Sequence, residues 1–413
     1  MKEQRAGIME SIGPSGPPES SPFSTVPQPT APKQIGRYQL CFELASGGMA
    51  SVYLARADGG APGFEKLVAL KRIHPHLSSE TDYVEMFLDE ARIASRITHA
   101  NVCSVFDFGD VDGEYFIAME YLVGEPLARV QRRVVANAEQ RTSPLLPARM
   151  ARVIAGACEG LHAAHELKDD QGEPLNVVHR DVSAENLFVT YDGVVQVVDF
   201  GIAHASKRVH HTSAGQVKGT FPYMAPEQMT AAVVDRRVDV WALGAVLWEL
   251  LTLRRLFLRD TDVNTMYAVL SGEIRPPSDY RKDVPPELDE IVLKALQRNP
   301  EERWQNARDM GKALRRFLAK QDDLVGPAEL ADWMQDLFPR GAQGKRQLME
   351  IARGGGSDDA KIPEMPAKTR SRFSIPQTRR RSKPGGPPLS AGLLALAVGG
   401  GLVALMLALE WLR

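Results

Sequence analysis

Residues 179–201 constrain the fold more tightly than any other stretch. They carry two polar clusters, His179-Arg180-Asp181-Val182-Ser183-Ala184-Glu185-Asn186 and Asp199-Phe200-Gly201. The apolar, strand-like run 194–198 leads directly into the second cluster. Together the clusters supply Asp181, Asn186 and Asp199. Hard oxygen donors of this kind suit a cation held on phosphate oxygens, and a further carboxylate can accept the proton of a hydroxyl. The spacing lets a loop and a strand end frame one site, so the chain must fold to bring both to the floor of a cleft.

The rest of the middle of the chain supplies such a cleft. Tyr38, Leu40, Phe42 and Leu44 alternate as in a half-buried strand. Val52 and Leu54 begin a second strand, and Leu67, Ala69 and Lys71 mark one face of a third. Residues 81–98 have helical period, with Val84, Phe87, Leu88, Ala91, Ala94 and Ile97 forming an apolar stripe. After Leu127 the pattern becomes mostly helical, clearest over 150–165 and 238–253. The expectation is an α+β, bilobal architecture: a small antiparallel β lobe with one helix, a larger helical lobe, and a hinge near Met119–Leu122. A ligand would sit between the lobes.

Two further motifs point into that cleft. Leu44-Ala45-Ser46-Gly47-Gly48-Met49-Ala50-Ser51-Val52-Tyr53 lies between the first two strands. A glycine-rich hairpin lets backbone N–H groups approach phosphate oxygens, although Gly-Gly is also an ordinary hairpin turn. In Val68-Ala69-Leu70-Lys71 a lysine faces the cleft, and its partner should be a carboxylate on the next helix. Glu90 sits beside that helix's apolar stripe, an odd place for a charge unless it is paired; a solvated helix-edge glutamate is the plainer alternative.

With these parts in this order, the chain resembles the eukaryotic-like serine/threonine protein kinases found in bacteria, over about residues 36–317. Further matches are Gly219-Thr220-Phe221-Pro222-Tyr223-Met224-Ala225-Pro226-Glu227, similar to the family's substrate-platform segment, and Asp239-Val240-Trp241-Ala242-Leu243-Gly244, similar to the helix that braces the catalytic loop. Arg303 resembles the arginine that pairs with Glu227. The resemblance implies ATP as phosphate donor and Mg²⁺, or Mn²⁺, as the metal. Lys71 would contact the α- and β-phosphates and Glu90 would hold it. Asp181 would take the acceptor proton, and Asn186 and Asp199 would bind metal. Leu44, Ala45, Ser46, Gly47, Gly48, Val52 and Ala69 would line the nucleotide. Met119 would be the gatekeeper, with the Glu120 carbonyl and the Leu122 N–H bonding adenine. Arg180 would meet a phosphate on Thr212 or Ser213 of the activation segment, and Thr220 would have a structural role near Asp181.

The sequence also departs from the family. Ala45 and Ala50 replace two glycines of the phosphate loop. Ser183 and Ala184 replace a Lys-Pro pair, removing a cation that neutralises the transferring phosphate; one such contact is worth ~10²–10³ in rate. Ser183 can still donate a hydrogen bond, and Lys218 is a candidate replacement. These changes keep a second class open, a membrane-tethered pseudokinase scaffold. A small-molecule phosphotransferase is disfavoured by the Gly219–Glu227 segment, which also favours Ser/Thr over Tyr as acceptor.

The flanks differ in kind. Residues 1–35 are Pro/Ser-rich and expected to be disordered. The kinase domain is expected over 36–320 and an appended amphipathic helix over 321–345. In it, Leu330, Trp333, Met334 and Leu337 would face the large lobe or a partner. Residues 346–388 read as a basic disordered linker. Residues 389–409 form a 21-residue run without a charge. That run is long enough for a transmembrane helix, a buried soluble helix being the alternative. Basic residues before it place the catalytic part on the cytoplasmic side of an inner membrane, or merely mark a solvated linker. Gly400, Ala404 and Ala408 would bring two copies together as a homodimer, or simply reflect the frequency of small residues in membrane helices. Net charge of −2 gives no sign of nucleic-acid binding, and three scattered cysteines give no disulfide framework or zinc site. The expected partners are protein substrates, ATP and a membrane.

Overall fold

The computed structural model describes residues 33–58, 65–200, 221–230, 232–323 and 325–354. Of the two units into which the chain divides, Met1–Arg370 and Ser371–Arg413, all of these belong to the first. Gly201, Lys218, Thr220, the activation-segment hydroxyls and the uncharged run 389–409 lie outside the described residues. No helix among the described residues is long and apolar enough to cross a membrane.

The small lobe grows from strand alternation. Strands β1 (Lys33–Ile35), β2 (Tyr38–Ser46), β3 (Ala50–Asp58), β4 (Glu65–Ile73), β5 (Val105–Val111) and β6 (Glu114–Glu120) form one antiparallel sheet in the order β1-β2-β3-β4-β6-β5. Tyr38 and Leu40 share one face of β2 with Ala55 and Leu70, and a β-bulge between Leu40 and Phe42 turns Phe42 to the other face, with Leu54 and Leu67. Helix α1 (Thr81–Ala94) lays Val84, Phe87 and Ala91 against Ile73 and Ile117 of this sheet. β4 is an inner strand, and its register sets Lys71 opposite Val52 of β3 and Ile117 of β6. β1 corrects the expected disordered tail at residues 33–35 alone: its backbone pairs with β2, and Ile35 is buried in the sheet's core, while residues 1–32 lie outside the described residues.

A short connection, β7 (Gly124–Pro126), leads to the large lobe, with α2 (Leu127–Ala136), α3 (Ala138–Thr142), α4 (Leu146–His165), β8 (Leu187–Thr190) and β9 (Val195–Val197). Then follow α5 (Pro226–Met229), α6 (Arg237–Thr252), α7 (Asp262–Ser271), α8 (Pro277–Tyr280), α9 (Pro286–Ala295) and α10 (Ala307–Leu318). Every α6 residue from Val238 to Thr252 is buried. A helix buried on all sides belongs at the centre of a core, and α4, α9 and α10 pack around it. β7, β8 and β9 make a small antiparallel sheet, and the loop 179–186 leads directly into β8.

Two helices follow. In α11 (Pro327–Leu337), Leu330, Trp333, Met334 and Leu337 all join the large-lobe core. Trp333 Nε1 donates to Gln140 Oε1 at 2.7 Å. Gly193, at φ +76° in the β8–β9 turn, lets the chain pass: a Cβ there would lie 1.8 Å from the Pro327 carbonyl oxygen. α12 (Gly341–Ala352) corrects the expected linker, since residues 346–352 are helical and bury Leu348 and Ala352. The reason is tertiary: Leu348 and Ala352 meet Phe42, Leu54 and Leu67 of the small lobe, a contact no local pattern reports.

Candidate active site

The cleft gathers its charges from three elements. Lys71 Nζ, on the inner strand β4, lies 2.8 Å from Glu90 Oε1 of α1 and 3.0 Å from Asp199 Oδ1, just beyond β9. Burial works against the Lys71 ammonium, but the charges of Asp199 and Glu90 and the hydrogen bonds to both outweigh it and hold it above the ordinary lysine value. The Glu90 carboxyl is pushed up by burial, with the Lys71 charge pulling it back. Glu90 is therefore no solvated edge residue.

The catalytic loop is held from below. Asp239, buried in the first turn of α6, accepts the backbone N–H groups of His179 and Arg180, each at 2.8 Å, and lies 2.8 Å from His165 Nε2. Those bonds support a strained backbone at Arg180, which sits at φ 65°; Asp199, beyond β9, also has positive φ, at 51°. His179 packs against Phe200 with ring centroids 4.8 Å apart. The Asn186 amide donates to the Asp181 carbonyl oxygen at 2.8 Å and to Asp181 Oδ2 at 3.0 Å. The loop thus sets Asp181 and Asn186 side by side, and β9 delivers Asp199 to the same cleft. Ser183 is almost wholly buried in the loop, and its carbonyl accepts the Asn186 N–H at 3.1 Å.

The glycine-rich hairpin closes by a Gly47 N–H bond to the Ala50 carbonyl at 2.8 Å and by a contact of the Ser46 and Ser51 hydroxyls at 3.0 Å. Neither Gly47 nor Gly48 has positive φ, and a Cβ at Gly48 would meet nothing within 4 Å. The backbone of the hairpin therefore does not demand glycine at Gly48. Leu44 and Ala45 lie at the end of β2, Val52 opposite Lys71 on β3, and Ala69 opposite Met119. Glu120 and Leu122 stand where the sheet passes into the connection. Behind the lysine a small cavity is lined by Glu90, Cys103, Val105, Ile117, Met119 and Phe200. Cys103, Val105 and Ile117 were not legible as site residues, because they reach the cleft only through strand pairing.

Asn186 and Asp199 are hard oxygen donors that fit a divalent cation. Among the described residues no group of three His, Cys, Asp or Glu could hold a metal. Phosphate oxygens and water would have to complete the shell of a divalent cation held there. Away from the cleft, Arg303 grips Glu227 through two bonds of 2.6 and 2.7 Å, entirely within the large lobe.

Comparison with known proteins agrees with this geometry. Residues 38–313 match the protein kinase domain family. A relative named Tyrosine-protein kinase MasK, from Myxococcus xanthus, is 45% identical over 73% of this chain and 46% of its own length. Serine/threonine-protein kinase PknB of Mycolicibacterium smegmatis is 34% identical over 68% of this chain and 43% of its own. The chain thus matches less than half the length of these relatives. The crystal structure of the Mycobacterium tuberculosis PknI kinase domain aligns at a TM-score of 0.51 and 24% identity, covering 70% of this chain and 98% of that one, which shows the fold.

Proposed function

The chain belongs to the protein kinase family, whose members use ATP and a divalent metal, and from that premise we propose that it is an active serine/threonine kinase. It would transfer the ATP γ-phosphate to hydroxyl groups of protein substrates. One observation carries the proposal: Lys71 Nζ is held between Glu90 at 2.8 Å and Asp199 at 3.0 Å, so the phosphate-binding cation is already positioned. Lys71 binds the α- and β-phosphates, Gly47 and Gly48 admit phosphate oxygens to backbone N–H groups, and Leu44, Val52 and Ala69 cover the adenine. Glu120 and Leu122 bond its edge. Asp181 accepts the proton of the substrate hydroxyl, and its carboxylate is oriented by Asn186. When bound to Asn186 and Asp199, Mg²⁺ neutralises phosphate charge. Arg180 Nε is buried without a hydrogen-bond partner among the described residues, which suits a guanidinium awaiting a phosphate on the activation segment.

Tyrosine is a second acceptor reading, favoured by the name of the 45% identical relative. The test is incubation of the full chain with labelled ATP and Mg²⁺, followed by phosphoamino-acid analysis. Phosphoserine and phosphothreonine, absent in Asp181→Asn, support the proposal; phosphotyrosine alone supports the second reading. Nucleotide binding without transfer makes the chain a pseudokinase scaffold.

The uncharged run 389–409 supports a single pass through an inner membrane with the kinase domain cytoplasmic, and its small-residue stripe supports pairing of two copies. Protease added outside spheroplasts should spare the kinase domain; its digestion refutes this placement.

A further inference from the structure

β4 carries three side chains on one face, because alternate residues of a strand share a side. Lys71 holds the phosphate position, Ala69 covers the adenine position, and Leu67 is the third. Leu67 belongs to an apolar cluster with Phe42, Leu54, Leu348 and Ala352, with Tyr121 and Leu44 packed against it. Leu348 and Ala352 come from α12. Tyr121 lies between Glu120 and Leu122, the two residues assigned to the adenine edge, and Leu44 opens the glycine-rich hairpin. The cluster therefore joins the cleft-facing end of the small sheet, the connection between the lobes and a helix from the far end of the fold.

The other end of α12 is fastened to the large lobe. At Gly341 a Cβ would lie 1.9 Å from Tyr191 Oη, so only glycine lets the helix start there. Tyr191 Oη donates to Glu125 Oε1 at 2.6 Å, and Glu125 pairs with Arg129 at 2.5 Å. Lys345 sits over the rings of Tyr121, at 6.0 Å, and Phe188 of β8, at 5.7 Å. Just before α12, Arg129 lies 5.2 Å over the Phe338 ring, and Arg133 Nε donates to the Leu337 carbonyl at 2.9 Å. Twelve residues at about 1.5 Å rise give a strut of roughly 18 Å between β8 and the sheet. Among the described residues the buried Tyr121 hydroxyl has no hydrogen-bond partner, and the contact seen there is one of packing.

We propose that α12 is a positioning element for the nucleotide, with Leu348 as its positioning residue. It fixes the height of the adenine-covering residues Leu44 and Ala69 above the large lobe and so keeps the cleft in its binding-competent form. The inference rests on the proposed kinase site and deepens it. If the competent fraction falls from near one to about a tenth, apparent nucleotide affinity falls about tenfold, while phosphoryl transfer in the bound complex is unchanged.

The test uses the full chain and the series Leu348→Met, Leu348→Ala and Leu348→Asp, with KM for ATP and kcat read separately and Mg²⁺–ADP affinity measured by calorimetry. Expected are values near wild type for Leu348→Met, a severalfold rise in both KM and Kd for Leu348→Ala, and about tenfold for Leu348→Asp, with kcat within about threefold. Unchanged KM and Kd in a Leu348→Ala protein that still melts cooperatively overturn the proposal, as does a fall in kcat at constant KM. If Leu348→Asp does not fold, the Met and Ala variants decide. Wild type that binds ADP but transfers nothing defeats the kinase reading alone, because Kd still tests the strut. Wild type that binds no nucleotide defeats both.

Discussion

The cleft and the large-lobe interior each hold a shielded ion pair, and they use it in opposite ways. Arg303 and Glu227 are one cation and one anion, matched bond for bond, with Arg303 sealed from solvent. In the cleft one cation, Lys71, serves two carboxylates, and the side chain of Asp199 remains 39% exposed. The backbone differs too. Arg180 and Asp199 carry positive φ beside the cleft, whereas the residues around the interior pair do not. A buried pair with balanced charge and relaxed backbone belongs to the fold. Unbalanced charge on strained backbone, open to water, is what a site for a charged ligand requires.

The sharpest break of this comparison is Asp181→Asn. It should lower kcat by ~10²–10⁴ and leave the melting temperature unchanged, because the side chain belongs to chemistry rather than packing. A variant that loses stability as well would show that the cleft charges also hold the fold. Arg303→Met should do the reverse. It strands the Glu227 carboxylate in the large-lobe interior at a cost of about 3–5 kcal/mol, read by chemical denaturation. Replacing both residues, Arg303→Met with Glu227→Leu, should recover much of that loss. No recovery would mean that the pair contributes more than charge balance.

Asp239 stands between the two regions, buried like the interior pair but serving the catalytic loop. Burial alone would raise its carboxyl; the hydrogen bond and charge of His165, with His179, outweigh it and hold the group below the usual carboxylate range. A depressed folded value means the stabilisation is complete above the unfolded value of about 3.9 and is lost as pH falls through the folded one. Denaturation midpoints followed from pH 6 to pH 3 should drop more steeply in wild type than in Asp239→Asn. Parallel curves would remove Asp239 from the acid response.

Much of this contrast was legible beforehand. The cluster from His179 to Asn186 and the Asp199-Phe200 pair marked the candidate site because polar residues at fixed spacing beside an apolar strand point to a shared cleft, and the structure does bring them together. Lys71 and Glu90 followed from one strand face and one helix stripe. α6 and the buried face of α11 came from periodicity. What escaped was non-local. β1 hides in a Pro-rich context, and its one clear signal is Ile35. α12 hides behind glycines and basic residues, although Leu348, Ile351 and Ala352 already stand at helical spacing. Its purpose shows only when the chain returns to the small lobe. Cys103 and Ile117 reach the cleft through pairing that no single segment encodes.

The smallest expected effect concerns the half-buried cation Lys345, less deeply buried than Arg303. Burial is the main influence and lowers the ammonium; Glu125 raises it and Arg129 lowers it, with Tyr121 facing it from the connection. In the unfolded chain lysine titrates near 10.4. Just below that pH the unfolded state binds more protons than the folded one, so stability rises with pH there. Lys345→Met removes this titration without removing the aliphatic body that packs on Tyr121 and Phe188. At pH 7 the variant should match or slightly exceed wild type in denaturant midpoint, and wild type should gain on it between pH 8 and pH 10. A variant clearly less stable at pH 7 would show that the Glu125 charge outweighs burial, and would place Lys345 with the balanced interior pair.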